Sequence, residues 1–337
     1  MLTLHEKTLL SEAPKIPGLT FRGFAGEGDY PKMLAVIEAS KQADKVERSD
    51  TLDDIRRNYS HLTRCDPQTD MLFAEMNGEV IGYHRVWWDR QDDGVYTYGM
   101  VGFLRPDWRR KGIGTAMLCH AEARLRQIAA QHESGAGKFF QTWANGSEIG
   151  RQALLESQGY RPVRYFVEMT RDIDMPLPDA PLPPGLEVRP ADESMLRQVY
   201  EAHTEAFRDH WGFTEETFEE FQHWKEDPTF NPSLWKIAWD GDQIAGMVLN
   251  FVSQAENTEY GRKRGYTEGI STRRPWRKLG LARSLLVQSI AMFKEMGMTE
   301  TALGVDAENL SGALKLYQSV GYQEVKRNMT YRKAMDE

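Results

Sequence analysis

The sequence predicts two copies of one α/β (α+β) domain, each a mixed twisted sheet flanked by helices. Three observations carry this. Segments of the first half recur in the second at a nearly constant offset. A Pro-dense run divides the halves. Each half has the same succession of strand, glycine turn and amphipathic helix. Pro17-Gly18-Leu19-Thr20-Phe21-Arg22 is matched 167 positions later by Pro184-Gly185-Leu186-Glu187-Val188-Arg189. Trp108-Arg109-Arg110-Lys111-Gly112-Ile113-Gly114 is matched 168 positions later by Trp276-Arg277-Lys278-Leu279-Gly280-Leu281-Ala282. Asn77-Gly78 and Asp240-Gly241 are 163 apart, and Gly159-Tyr160 and Gly321-Tyr322 are 162 apart. A period this long is not that of a solenoid and reads as a duplicated domain. The 337 residues fit two domains at about 150 residues each.

The elements follow in the same order in both halves. A strand opens each copy (19–24; 186–190), then a helical region, which in the second copy covers 193–207 and 215–224. A hairpin comes next: 71–76, the Asn77-Gly78 turn and 80–88 in the first copy, 234–239, Asp240-Gly241 and 243–252 in the second. Asn-Gly and Asp-Gly between apolar runs are short-hairpin signals. A further strand enters the glycine turn and a long amphipathic helix, with Ala282, Leu285, Leu286, Ser289, Ile290 and Phe293 near helical spacing. A strand (301–305), a helix (311–320) and a last strand (325–331) close the copy. The run from Met175 to Gly185 holds five prolines and reads as an extended linker. The expected domains are therefore 1–174 and 186–337, joined by 175–185.

Composition bounds the function. Hydrophobic residues make up 40% and charged residues 27%, as in a globular protein with a core in each domain. Net charge is −8, which argues against a nucleic-acid partner, and no apolar run approaches the ~18 residues of a membrane span. Met1-Leu2-Thr3-Leu4-His5-Glu6-Lys7 has no basic segment leading into an apolar one, so no secretory signal is expected. Cys65 and Cys119 are the only cysteines, and the histidines are scattered. No disulfide framework or metal site is expected, and the cytoplasm is the expected location.

The turn Arg109-x-x-Gly112-x-Gly114, between a strand and a helix, suits a diphosphate: backbone N–H groups at a helix N-terminus point outward and the dipole favours an anion. The second copy offers Arg277-x-x-Gly280-x-Ala282. A Walker loop would need Lys near its end, and a dinucleotide fingerprint would need a glycine where Met117 stands. These turns resemble the acyl-CoA pyrophosphate loop of the GNAT superfamily of N-acetyltransferases. The second copy adds Val305-Asp306-Ala307-Glu308-Asn309, Ala313, Leu316-Tyr317 and Gly321-Tyr322, which resemble the strand and Tyr-bearing helix that close the family's acetyl-CoA site. The tandem pair is similar in architecture and cofactor site to the mycothiol-synthase-like group, not clearly in substrate.

The resemblance implies acetyl-CoA as cofactor, without metal, and direct attack by an amine. In the second copy, Arg277, Lys278, Leu279, Gly280, Leu281 and Ala282 would hold the pyrophosphate. Ile270, Ser271 and Thr272 would face the thioester, with Asn309 beside it. Arg109, Arg110, Lys111, Gly112, Ile113 and Gly114 form the equivalent loop in the first copy. Tyr317 is the expected acid and Glu268 the expected base, with Glu256 and Glu259 on the preceding hairpin as fallbacks. Leu155 and Met100 stand at the matching positions of the first copy, which is expected to be catalytically degenerate. Asp209, His210 and Trp211 form either an acceptor pocket for a cationic or ring-bearing amine or a helix-ending cluster. Arg262-Lys263-Arg264 is either an anion site or a solvated hairpin tip. The expected reading is an acetyltransferase acting on a small-molecule amine, monomeric or weakly dimeric. A non-catalytic acyl-CoA sensor and a protein N-acetyltransferase remain as alternatives.

Overall fold

A short turn sets the register of the first hairpin. Asn77 and Gly78 both have positive φ (50° and 87°), as a type I′ turn requires, and Met76 pairs with Glu79 across it. Strands β1 (Leu19–Arg22), β2 (Met71–Met76), β3 (Glu79–Arg90) and β4 (Tyr96–Leu104) follow one another antiparallel, and β5 (Lys138–Asn145) lies parallel to β4. Helix α1 (Tyr30–Asp44), then α2 (Leu52–Ser60) and the single turn α3 (Pro67–Asp70), come between β1 and β2. Helix α4 (Ile113–Ala129) links β4 to β5, and α5 (Ile149–Ser157) follows β5. The structure is a computed structural model that describes residues 8–10, 12–309 and 312–336.

The second copy repeats the plan. Strand β6 (Arg161–Asp172) precedes the Pro-dense run. Then come β7 (Glu187–Arg189), α6 (Leu196–Phe207), the short α7 (Phe218–Gln222), β8 (Lys236–Asp240), β9 (Gln243–Phe251) and a six-residue helix, α8 (Gln254–Glu259). Strand β10 (Arg264–Thr272), helix α9 (Leu281–Glu295), strand β11 (Glu300–Asp306), helix α10 (Ala313–Ser319) and strand β12 (Gln323–Ala334) complete it. The expected helix start at Ser311 lies outside the described residues. Glu256 and Glu259 sit on α8, not on a hairpin.

The expected boundaries at 174 and 186 do not match the compact units. One unit is residues 1–163 with 328–337, and the other is 164–327. The reason is strand pairing. Residues 328–334 of β12 pair antiparallel with 139–145 of β5, so the end of the chain closes the first unit's sheet. Residues 166–172 of β6 pair antiparallel with 300–306 of β11, so the strand before the Pro-dense run closes the second. The last strand of each sequence copy thus serves the other unit. The Pro-dense run is a connection inside the second unit.

Each unit packs helices on both faces of its sheet. In the first, Tyr98, Leu125, Phe140 and Tyr160 fill one face, while Met33, Val36 and Phe73 fill the other. In the second, Leu286, Ile290, Phe293 and Tyr322 cover one face and Val199, Trp235 and Ile237 the other. These side chains are nearly all fully buried, each worth about 1.5–3 kcal/mol. Among the described residues no helix is long and apolar enough to cross a membrane.

Candidate functional site

Both units open their sheets at the same place. In the second, β10 and β11 pair in parallel only from Arg264–Glu300 to Tyr266–Ala302 and then separate. In the first, β4 and β5 pair only from Tyr96–Lys138 to Gly99–Gln141. The pyrophosphate-type loop follows β4 and β10 at the mouth of each split. Gly112 and Gly280 precede α4 and α9 with φ of 81° and 86°, a left-handed conformation that favours glycine. Neither helix has a side-chain cap, so the backbone N–H groups of its first turn are left for a ligand. Arg110 and Lys278 also have positive φ (60° and 65°), which gives the loop the same tight course in both units.

The arginines that open the two loops do other work. Arg277 Nε donates to the Thr272 carbonyl at 3.0 Å, and Arg277 forms an ion pair with Asp209 at 2.8 Å. Arg109 Nε donates to the Leu104 carbonyl at 3.1 Å, and its two terminal nitrogens grip Asp44 at 2.6 and 2.8 Å. Each guanidinium ties the loop to its strand and to the end of the first long helix. Of the two readings of Asp209, a pocket carboxylate or part of a helix end, the geometry suits the second: its carboxylate is taken by Arg274 and Arg277, which hold it well below the usual carboxylate range. His210 and Trp211 reach further, toward the end of β11. Asp306 acts electrostatically on His210, and the Arg164 guanidinium stands 5.5 Å from the Trp211 ring centre. Arg164 also binds Asp306 at 2.7 Å, so these groups gather where β11 ends. His203, Phe207 and His210 stack in a row with ring centres 4.3 and 4.4 Å apart.

Inside the second unit's split, the Glu268 carboxylate reaches from β10 to β11 and accepts the Gly304 backbone N–H at 2.6 Å. Burial raises its pKa to about 7, although the Gly304 N–H pulls the other way. Tyr317 projects from α10, buried, with its ring 6.4 Å from Tyr322 in an edge-on arrangement. Burial and the neighbouring Glu268 carboxylate push its phenol further above the ordinary tyrosine range. Tyr322 is a structural anchor whose hydroxyl meets Thr267 and Thr301, both at 2.9 Å. Directly after Glu268 the strand bulges. Glu268 faces Leu249 while Ser271 faces Met247, one extra residue on β10, with Gly269 at φ 56°. A bulge breaks the ladder locally and re-aims backbone groups. The buried hydroxyls of Ser271 and Thr272 find no partner among the described residues. Asn309 follows β11 in the turn that leads to α10.

The first unit differs at each of these points. The pairing of β3 with β4 runs without a shift from Gly82–Leu104 to Arg90–Tyr96. Met100 and Leu155 stand where Glu268 and Tyr317 stand in the second unit, and both line a cavity of about 670 Å³. Arg151 of α5 crosses the split, donating to the Gly102 carbonyl and to Thr142 Oγ1, both at 2.9 Å.

The bulge, the Arg–Asp clamp and Arg151 are absent from the sequence reading. An isolated glycine in a strand, Gly269, is a bulge signal. Asp44 and Asp209, 165 positions apart, extend the repeat. Arg151 falls opposite Ala313 at the 162-residue offset. The Arg262-Lys263-Arg264 run is not a bare cationic tip: Arg262 pairs with Glu256 at 3.0 Å, and the buried Arg264 pairs with Glu168 and Glu300 at 2.9 and 2.8 Å. Among the described residues no group of three or more His, Cys, Asp or Glu side chains is placed to hold a metal.

Comparison with known proteins agrees with this geometry. Residues 33–145 and 196–322 match the model of the acetyltransferase (GNAT) family. The mycothiol acetyltransferase of Geodermatophilus obscurus is 25% identical over 90% of this chain and 93% of its own length. That of Thermobispora bispora is 26% identical over 91% and 96%. A GCN5-related N-acetyltransferase from Sphaerobacter thermophilus superposes with a TM-score of 0.71 at 26% identity, covering 95% of this chain and 96% of that one. A tandem GNAT protein from the clavulanic acid biosynthesis pathway shares the fold, with a TM-score of 0.64 at 14% identity over 94% and 98%. The chain belongs to the GNAT acetyltransferase family and is an acyl-CoA-dependent acetyltransferase built from two such modules.

Proposed function

We propose that the second unit moves an acetyl group from acetyl-CoA to a primary amine of a small molecule, and that the first unit does not turn over. The observation that carries this is the meeting of Glu268 and Tyr317 across a bulged split, against Met100 and Leu155 across an unbulged one. The residues suit acetyl-CoA. The open N-terminus of α9 behind Gly280 suits its pyrophosphate, and the unpartnered hydroxyls of Ser271 and Thr272, with the backbone of Ile270–Thr272, suit its pantetheine arm. A Cβ at Gly280 would meet nothing within 4 Å, so the loop approach is open. Bound acetyl-CoA would supply the thioester that the amine attacks.

The protein contributes position and proton management. Glu268, with a pKa near 7, is poised to take a proton from an incoming ammonium group at neutral pH. Tyr317 keeps its proton at neutral pH and holds it ready for the departing sulfur. Backbone N–H groups of the bulge would be the donors for the thioester carbonyl oxygen. His210 and Trp211 gather beside the Arg164–Asp306 ion pair at the end of β11, where their rings could meet a ring-bearing acceptor. The named relatives are mycothiol acetyltransferases, which supports a small-molecule acceptor here.

The test is thiol release from acetyl-CoA with a panel of small primary amines, alongside peptides with free N-termini and lysines. Turnover with a small amine, lost on Tyr317→Phe, supports the reading. Turnover confined to peptides, or none with any amine, overturns it.

A further inference from the structure

Two carboxylates of the second unit meet over one glycine. Glu268 of β10 accepts the Gly304 backbone N–H at 2.6 Å. That N–H is free to donate because β10 and β11 pair only as far as Tyr266–Ala302. It points to β10, so Gly304 and its partner on the other side, Glu168 of β6, form a non-hydrogen-bonded pair. In such a pair the Cα atoms lie about 4.5 Å apart and facing side chains come closest. A Cβ on Gly304 would stand 3.5 Å from Glu268 Oε1, so the Glu268 carboxylate lies on the face where Gly304 carries nothing. Directly opposed residues of a ladder share a face, which puts Glu168 there too.

The two carboxylates are held differently. Glu168 Oε1 accepts from Arg264 Nη1 at 2.9 Å, and Lys326 Nζ lies 3.5 Å from its Oε2. Arg264 is buried and its Nε is fixed by Glu300 at 2.8 Å, so it anchors Glu168 in its charged form. Among the described residues no cation pairs with Glu268, and the charged group that acts on it is Glu168. The other titratable groups around it are neutral or committed. Tyr317 of α10 and Tyr322 ahead of β12 keep their protons at neutral pH. Asp306, further along β11, is taken by Arg164 at 2.7 Å, and β9 presents Leu249.

We propose that Glu168 is a positioning residue for Glu268: a carboxylate fixed in its charged form, facing Glu268 across Gly304, that makes Glu268 hold its proton more tightly and so act as a stronger base. Like charges this close disfavour one another, and Glu268 is the one that yields, because Arg264 and Lys326 compensate only Glu168. The effect adds to that of burial. Glu168 is supplied by β6, the strand that precedes the Pro-dense run, so the first sequence copy contributes to the second unit's site. The catalytic consequence rests on the function proposed above; the effect on the Glu268 carboxyl does not.

The experiment is NMR of the full chain with isotope-labelled glutamate carboxyls, in which the Glu268 signal is the one missing from Glu268→Gln, with kcat/KM measured across pH beside it. In Glu168→Gln the titration midpoint of Glu268 is expected about 0.5–1 pH unit lower than in the wild type, and the rise of kcat/KM with pH should move down by the same amount. Lys326→Met removes a compensating cation and should move the midpoint upward; it carries the test should Glu168→Gln fail to fold. A midpoint unmoved or raised in Glu168→Gln, or unmoved or lowered in Lys326→Met, overturns the proposal. A midpoint that falls in Glu168→Gln while activity shows no rise tied to Glu268 supports the action of Glu168 and overturns instead the reading of Glu268 as the base.

Discussion

The splits in the two sheets begin from the same scaffold and carry opposite charges. In the first unit a guanidinium crosses from α5 to β4 and β5; in the second a carboxylate crosses from β10 to β11. Around them the framework is the same. Arg109 and Arg277 each bind the last carbonyl of the preceding strand and an aspartate near the end of the first long helix. Glycines of positive φ start α4 and α9 alike. The loop is thus a structural device that survives duplication whether or not chemistry follows. On the function proposed above, chemistry depends on a few side chains in the split and on one extra residue in a strand.

The sharpest way to break this comparison is to close each loop in turn. Gly280→Asp places a side chain and a negative charge at the start of α9, where a left-handed φ of 86° already disfavours any Cβ. Turnover should fall to background, while Gly112→Asp leaves it largely intact, both variants first passing a thermal-melt check. Loss of activity in Gly112→Asp instead would move the chemistry to the first unit.

Tyr317→Phe removes the proposed acid and keeps the ring. Steady-state rates should show kcat lower by roughly 10- to 1000-fold, with acetyl-CoA affinity little changed. A near-normal kcat would make Tyr317 a packing residue like its counterpart Leu155.

Glu268→Gln should lower kcat/KM by about 10- to 100-fold and also change its pH profile. The proposed base works only when deprotonated, so wild-type activity should rise with pH through about 7 and level off above it. In the variant that rise should be gone. A rise that persists in Glu268→Gln would assign it to another group, such as the amine itself.

The smallest effect belongs to the clamp. The Asp209 side chain is 41% exposed and its ion pairs are worth about 1 kcal/mol or less. Asp209→Asn should raise KM for acetyl-CoA a few-fold and spare kcat. Asp44→Asn, at the matching place in the first unit, should change neither. Equal effects of the two would tie the first loop to turnover.

Much of this was legible in the chain. The repeat, the two hairpin turns, the glycine loops and the contrast of Glu268 and Tyr317 with Met100 and Leu155 are local patterns or offsets, and a linear sequence records such relations directly. What it did not determine is which partner each group meets. Asp209 reads equally as a pocket carboxylate or a helix end, and only packing α6 near the loop commits it to Arg274 and Arg277. Strand β6 reads as the last strand of the first copy, because nothing in its own residues says which sheet edge it will pair with. Backbone hydrogen bonds are the same for any sequence, so strand choice is decided by the side chains on both sides of the edge, here Val167 and Met169 buried with Leu286 and Ile290. Arg151 lies on an ordinary helix in the sequence; its bridge to the Gly102 carbonyl and Thr142 Oγ1 exists only once β4, β5 and α5 have packed together.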